Sequence, residues 1–179
     1  MFNCLVKNML DRAVKIYPNV EITDRKSSGE RFSYTYKDMH NRICRLANVL
    51  TDLGIKSGDG NMGDRVGVVA WNNHRHLELF LGVPMFGAVF HSLNVRLSLE
   101  HLSYIVNHAE DKVIFCDRDF LPLFEAMKDR MPTVKHFIIM TDEDRLPETT
   151  LSPVSSYEEL LSQASPEYTF PDFDENTPM

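Results

Sequence analysis

The chain has 179 residues, enough for one ordinary domain built around a single core. Its 43% hydrophobic, 25% charged and 10% aromatic content excludes collagen-like, coiled-coil and wholly disordered classes. Nineteen Lys and Arg against 26 Asp and Glu give a net charge of -7, which argues against a nucleic-acid or anionic-membrane surface.

That charge is uneven. Residues 141–179 hold ten acids and one base, Arg145, together with five of the nine prolines, so the segment reads as a solvated, acidic, Pro-rich connector with one short helix embedded. Residues 1–140 then form the α/β part. Cys4, Cys44 and Cys116 are odd in number and far apart, which suggests neither a disulfide framework nor a zinc site and points to a reducing, cytoplasmic setting. The longest uncharged apolar stretch, residues 79–90, has 12 residues and contains Pro84, short of the roughly 20 that a membrane span needs.

In chain order, Leu5, Met9, Ala13 and Ile16 recur at helical spacing until Pro18 stops the pattern. Residues 20–22 and 32–34 alternate around a turn at residues 26–29, which predicts a β-hairpin. Tyr36, Met39, Ile43, Leu46, Leu50 and Leu53 mark an amphipathic helix, opened by a Thr35/Asp38 capping box and closed by Gly54. From residue 65 the pattern changes. Continuous apolar runs near 65–70, 88–91, 112–116 and 136–140 lack alternation, as strands covered on both faces do. Helices are expected between them near 74–87, 98–108 and 119–130, the last with Pro122 in its first turn. The fold class implied is α/β, doubly wound, with a mainly parallel sheet and helices on both faces.

Several motifs are decoys. Gly58, Gly60 and Gly63 satisfy G-x-G-x-x-G, but a helix ends before them and a strand follows, the reverse of what a dinucleotide fold needs. The same stretch fails as a calcium loop, because Gly63 and Ala70 stand where an EF-hand needs acidic or amide ligands. His74 and His76, and likewise His101 and His108, read as helix-surface residues without a third ligand nearby, so no metal is assigned. No G-x-S-x-G elbow or Walker loop occurs, and no catalytic residue is assigned. One loop is different: Asn94 and Arg96 follow a predicted parallel strand and precede a helix capped by Ser98, the edge where open α/β sheets place ligands. Arg96 there suits a phosphate or carboxylate contact, a structural ion pair, or simple solvation.

The ordered motifs resemble the N-terminal part of AMP-forming acyl-CoA synthetases. They are Tyr34-Thr35-Tyr36-Lys37-Asp38-Met39, the Leu46 and Leu53-Gly54 stretches, Gly63-Asp64-Arg65-Val66, Leu81-Gly82-Val83-Pro84 and Tyr104 through Val113. Residues 107–112 and 82–85 look most like the medium-chain and long-chain fatty-acid branch. Two departures stand out: residues 60–64 read as an insertion, and Val95 replaces the family's usual Pro. The resemblance implies a parent enzyme that joins a fatty acid to CoA through an acyl adenylate, using ATP and Mg. It further implies that the phosphate loop and catalytic Lys lie downstream of residue 179, so that this chain alone is inactive and binds no cofactor. It places Arg96, with Asn94, near CoA, and it leaves a homodimer among the expected assemblies. A Rossmann-like or flavodoxin-like binding module and a non-catalytic interaction domain stay open beside it.

Overall fold

The computed structural model describes residues 4–26, 29–143 and 145–179. Helix α1 (Val6–Ile16) opens the fold. It buries Leu10, with Val6 and Val14 half-buried beside it, while Met9 and Ile16 are exposed. The expected stripe through Met9 and Ile16 is therefore corrected. Val6, Leu10 and Val14 form a competing stripe at steps of four, and that face meets the body.

The hairpin follows as β1 (Glu21–Arg25) and β2 (Arg31–Thr35), antiparallel from Glu21 opposite Thr35 to Arg25 opposite Arg31. Its expected turn includes Ser27 and Ser28, which lie outside the described residues. Helix α2 (Tyr36–Asp52) starts at a reciprocal box, in which Thr35 Oγ1 accepts the Asp38 amide at 3.2 Å and Asp38 Oδ2 accepts the Thr35 amide at 3.0 Å. Gly54 ends it at φ 73°, a left-handed conformation that costs glycine little.

The main sheet is built from β3 (Arg65–Val69), β4 (Val89–Ser92), β5 (Val113–Asp117), β6 (His136–Met140) and β7 (Val154–Ser156) in the order β4-β3-β5-β6-β7, with every pair parallel. Helix α3 (His74–Phe86) joins β3 to β4, α4 (Leu99–Ala109) joins β4 to β5, and α5 (Leu121–Met127) joins β5 to β6. The last helix, α6 (Tyr157–Gln163), follows β7 directly. Val113, Phe115, Ile138 and Met140 pack with α2, α3 and α6, whereas Ile114, Cys116, Phe137 and Ile139 pack with α4 and α5. Alternate residues thus enter opposite cores, which is why these strands read as unbroken apolar runs. On the far side of α2 and α3 a third cluster of Leu10, Tyr34, Met39, Ile43 and Met85 seats α1 and the hairpin.

The segment after residue 140 is not a solvated connector. It adds β7 to the sheet, and Leu151, Tyr157, Leu161 and Phe173 are buried. Its acids meet the bases of the preceding part: Glu158 accepts Arg42 at 2.9 Å and Arg75 at 2.7 Å, Asp142 accepts Arg75 at 2.8 Å, and Asp172 pairs with Lys7 at 2.7 Å. The charge asymmetry along the sequence is complementarity across a packed boundary.

Candidate functional site at the C-terminal edge of the sheet

The loop after β4 is held from below. Leu93 is buried and donates its amide to Val68 O at 2.9 Å, and Val95 and Leu97 rest half-buried on the α4/α5 core. Asn94 Oδ1 accepts the Arg96 amide at 3.0 Å, and Ser98 Oγ accepts the His101 amide at 3.3 Å to cap α4. Asn94 and Arg96 are exposed on a turn that the Asn94 side chain and the α4 cap define. Among the described residues the Arg96 guanidinium has no hydrogen-bond or ion-pair partner. Behind the loop, His91 Nδ1 lies 2.8 Å from an oxygen of the fully buried Asp111. Burial raises the Asp111 carboxyl above its usual range, against the pull of His91 and Arg65.

A second feature was not visible in the sequence. After β3 the chain turns to the α3 face toward β4, and after β5 it turns to the opposite face toward β6. Because β3 and β5 are neighbours, their C-terminal ends part to leave a crevice of about 480 Å3, the topological switch point of the sheet. Trp71, Asn73 and Arg75 line one side, Asp117 and Arg118 the other, and Asp24 with Lys26 of the hairpin closes the top.

Asp117 is 6% exposed and accepts the Trp71 amide at 2.7 Å. Burial pushes its carboxyl up to about 6, although bonds from Trp71 and Asn73 favour the charged form. Trp71 Nε1 donates to Asp119 at 3.0 Å, and its ring, 53% exposed, stands against Phe120. Arg75 is committed to Asp142 and Glu158, and Arg118 pairs with Glu143.

His74 is the clearest departure from expectation among the titratable groups. It is 3% exposed, not a surface residue, and its backbone amide and Nδ1 meet Asp24 Oδ2 at 3.2 and 2.9 Å. Burial lowers its pKa despite that partner, so the neutral ring donates Nδ1–H to a charged Asp24. His101 and His108 are exposed on α4, and His108 stacks on Tyr104.

Residues 58–63 form a loop with no helix behind it. The Gly58 amide donates to Gly87 O at 2.8 Å, the Gly60 amide donates to Thr177 Oγ1 at 2.9 Å, and β3 begins at Arg65. These amides are spent on the chain itself, which removes the dinucleotide reading. Arg96 and Asn94 do not line the crevice; they stand one strand further along the same edge. Among the described residues the crevice brings no nucleophile into hydrogen bond with a base.

Residues 10–177 match the family described as AMP-binding enzyme. The chain is 35% identical over 175 residues to a 3-methylmercaptopropionyl-CoA ligase of Ruegeria lacuscaerulensis, covering 97% of this chain and 31% of that protein. It is 39% identical over 156 residues to a long-chain-fatty-acid–CoA ligase of Thermus thermophilus, covering 87% of this chain and 27% of that protein. Its fold superposes on the crystal structure of the N-terminal domain of FACL13 from Mycobacterium tuberculosis with a TM-score of 0.73 and 28% identity, over 93% of this chain and 37% of that one. The chain spans about a third of the length of the curated relatives it matches.

Proposed function

The chain belongs to the AMP-binding enzyme family, and on that footing we propose that it is the N-terminal part of a fatty-acid–CoA ligase. The parent converts a fatty acid, ATP and CoA to acyl-CoA, AMP and pyrophosphate through an acyl adenylate. What carries the reading is the likeness of nearly the whole chain to CoA ligases. The α/β subdomain of that enzyme extends through β7 and α6, and the chain leads from there to the phosphate-binding and catalytic parts downstream.

Within this reading the residues present bind and orient. Arg96, an unpaired guanidinium beside the capped N-terminus of α4, holds a phosphate of CoA, and Asn94 fixes the turn that presents it. Neither residue takes part in adenylation. ATP brings Mg with it, but no cluster of three candidate ligands occurs among the described residues, so its protein ligands belong to the rest of the parent. The protein works in the cytoplasm: among the described residues no helix is long and apolar enough to cross a membrane, and Cys4, Cys44 and Cys116 are free thiols. A homodimer stays among the assemblies open to the parent.

The test is ATP–pyrophosphate exchange and thioester formation by the full-length parent over a series of fatty acids. Exchange that depends on a fatty acid, with the 179-residue chain inactive in the same assay, supports the proposal. A parent that exchanges only with amino acids or with no carboxylic acid overturns it. Light scattering reads the dimer separately, as twice the monomer mass.

A further inference from the structure

Phe90 turns to α3, where Phe80 and His76 meet its ring edge to face at 5.5 and 5.6 Å, so alternation along β4 turns His91 to the α4 side of the sheet. There His91 Nδ1 lies 2.9 and 2.8 Å from the two carboxylate oxygens of Asp111. His91 belongs to β4, whereas Asp111 belongs to the link from α4 into β5, on the other side of β3. Gly67 of β3, directly opposite His91, is what lets them meet. A Cβ there would lie 3.1 Å from Asp111 Oδ2 and 2.4 Å from Ile114 Cδ1, so the carboxylate crosses β3 through the space that glycine leaves.

Asp111 is fully buried, and among the described residues no group other than His91 hydrogen-bonds to its carboxylate. The nearby cations are spent elsewhere. Arg65 donates to Ala109 O and pairs with Glu110 at 3.5 Å, and Lys112 pairs with Glu110 at 3.6 Å. Glu110 itself stands at φ 54°, in the left-handed region that favours glycine. A buried carboxylate with a single hydrogen-bond partner, next to a strained residue, is a costly arrangement, and what it secures is a cross-link between β4 and the end of α4.

That cross-link closes a ring in the chain. The segment from His91 to Asp111 carries the Arg96 turn and the whole of α4, and its first and last residues are the two that meet. Backbone bonds anchor the same two ends: the Leu93 amide donates to Val68 O at 2.9 Å, and the Lys112 amide to Arg65 O at 3.0 Å. We infer that His91 and Asp111 are positioning residues for the ligand contact at Arg96: their bond closes the segment 91–111 and sets where the turn and the N-terminus of α4 stand at the sheet edge. This rests on the proposal that Arg96 holds a phosphate of CoA. Neither His91 nor Asp111 needs to touch the ligand.

Two variants separate this role from support of the fold. His91→Leu alone strands a buried carboxylate and can unfold the chain, so the bond is removed by His91→Leu together with Asp111→Asn, which leaves no charge buried. His91→Asn instead keeps an N–H donor close to the position of Nδ1. In the 179-residue chain the double variant should move the amide resonances of residues 94–101, while those of the hairpin, Thr23 and Ser33 among them, stay in place. In the full-length parent it should raise the KM for CoA by roughly tenfold, and fatty-acid-dependent ATP–pyrophosphate exchange without CoA should keep its rate. His91→Asn should behave nearly as the wild type in both assays. A folded double variant with unmoved amides at 94–101 overturns the inference. So does an equal loss in both half-reactions with a lowered melting temperature, which marks support of the fold alone. If Arg96→Ala leaves the KM for CoA unchanged, the CoA reading of that turn falls. If Arg96→Ala raises it and the double variant does not, this inference alone falls.

Discussion

The Tyr157 hydroxyl donates to Oε2 of Glu78 at 2.8 Å inside the core, with both side chains sealed from solvent. Arg42 Nε donates to the other oxygen of Glu78 at 2.7 Å and its terminal nitrogens grip Glu158, so one guanidinium links α2, α3 and α6. Truncating Arg42 leaves the Glu78 charge buried without a cation. Arg42→Ala should cost about 3 to 5 kcal/mol, and Tyr157→Phe, which removes one bond to a charged group, about 1 to 3 kcal/mol. Urea midpoints at constant m-value measure both, and an Arg42→Ala cost below that of Tyr157→Phe would contradict the assignment of Arg42 as the charge partner.

Asp117 gives the domain a pH dependence of unusual sign for a carboxylate. Its pKa is raised from 3.8 to about 6 by burial, so the folded state keeps a proton that the unfolded chain has released. The corresponding stability is full below the unfolded value and is lost as pH rises through the folded one. Asp117→Asn keeps an oxygen to accept the Trp71 amide and removes the titration. It should be more stable than the wild type at pH 7.5 by about 2 to 3 kcal/mol, with the difference vanishing toward pH 4. Glu158 acts oppositely: burial raises its pKa, the bonds from Arg42 and Arg75 outweigh this and lower it, and its stabilisation is lost on acidification. Taking the difference between wild type and variant isolates Asp117. A difference that does not change between pH 4 and 7.5 would refute this account.

The loop at residues 58–63 depends on backbone contact. A Cβ on Gly58 would lie 2.1 Å from Asn61 O and 2.7 Å from the Gly63 nitrogen, both backbone atoms that cannot swing aside, whereas one on Gly60 would meet open space. Gly58→Ala should cost about 1 to 3 kcal/mol, the scale of overpacking, and release the C-terminal segment seated there. Gly60→Ala meets no neighbour, but Gly60 stands at φ 68°, so the change should cost about 1 to 2 kcal/mol through its left-handed backbone alone. Titration with NAD or FAD should show no saturable binding by either variant or by the wild type. A micromolar dissociation constant lost in a Gly60 variant would restore the dinucleotide reading.

What was legible in the sequence was local or periodic. The box at Thr35 and Asp38 needs only residues three apart, and the runs behind β3, β5 and β6 announce burial on both faces by their continuity. What was not legible depends on pairing at a distance. Val154, Ser155 and Ser156 carry no strand signal of their own and are strand because β6 lies beside them. His74 is buried because Asp24, 50 residues earlier, arrives through the hairpin. The crevice around Asp117 exists only through the order β4-β3-β5, which no local pattern encodes. Asn94 and Arg96 could be picked out because a strand end and a helix cap bracket them within a few residues.

The last prediction concerns Arg96 in the full-length parent. Its guanidinium is exposed and unpaired among the described residues, and the turn beneath it is fixed by Asn94 and Ser98 rather than by the charge itself. Replacing it should therefore leave the fold alone. If it holds a CoA phosphate, Arg96→Ala forfeits a hydrogen-bonded charge contact, about 1.5 to 3 kcal/mol, which is roughly a 10-fold to 150-fold rise in the KM for CoA. The adenylation half-reaction, read as ATP–pyrophosphate exchange without CoA, should be nearly unchanged, because that step makes no demand on a CoA phosphate. Arg96→Lys should fall between the two, since an ammonium keeps the charge and loses the bidentate fork. An unchanged KM for CoA would leave Arg96 a surface residue. An equal loss in both half-reactions, together with a lowered melting temperature, would mean instead that the side chain supports the loop.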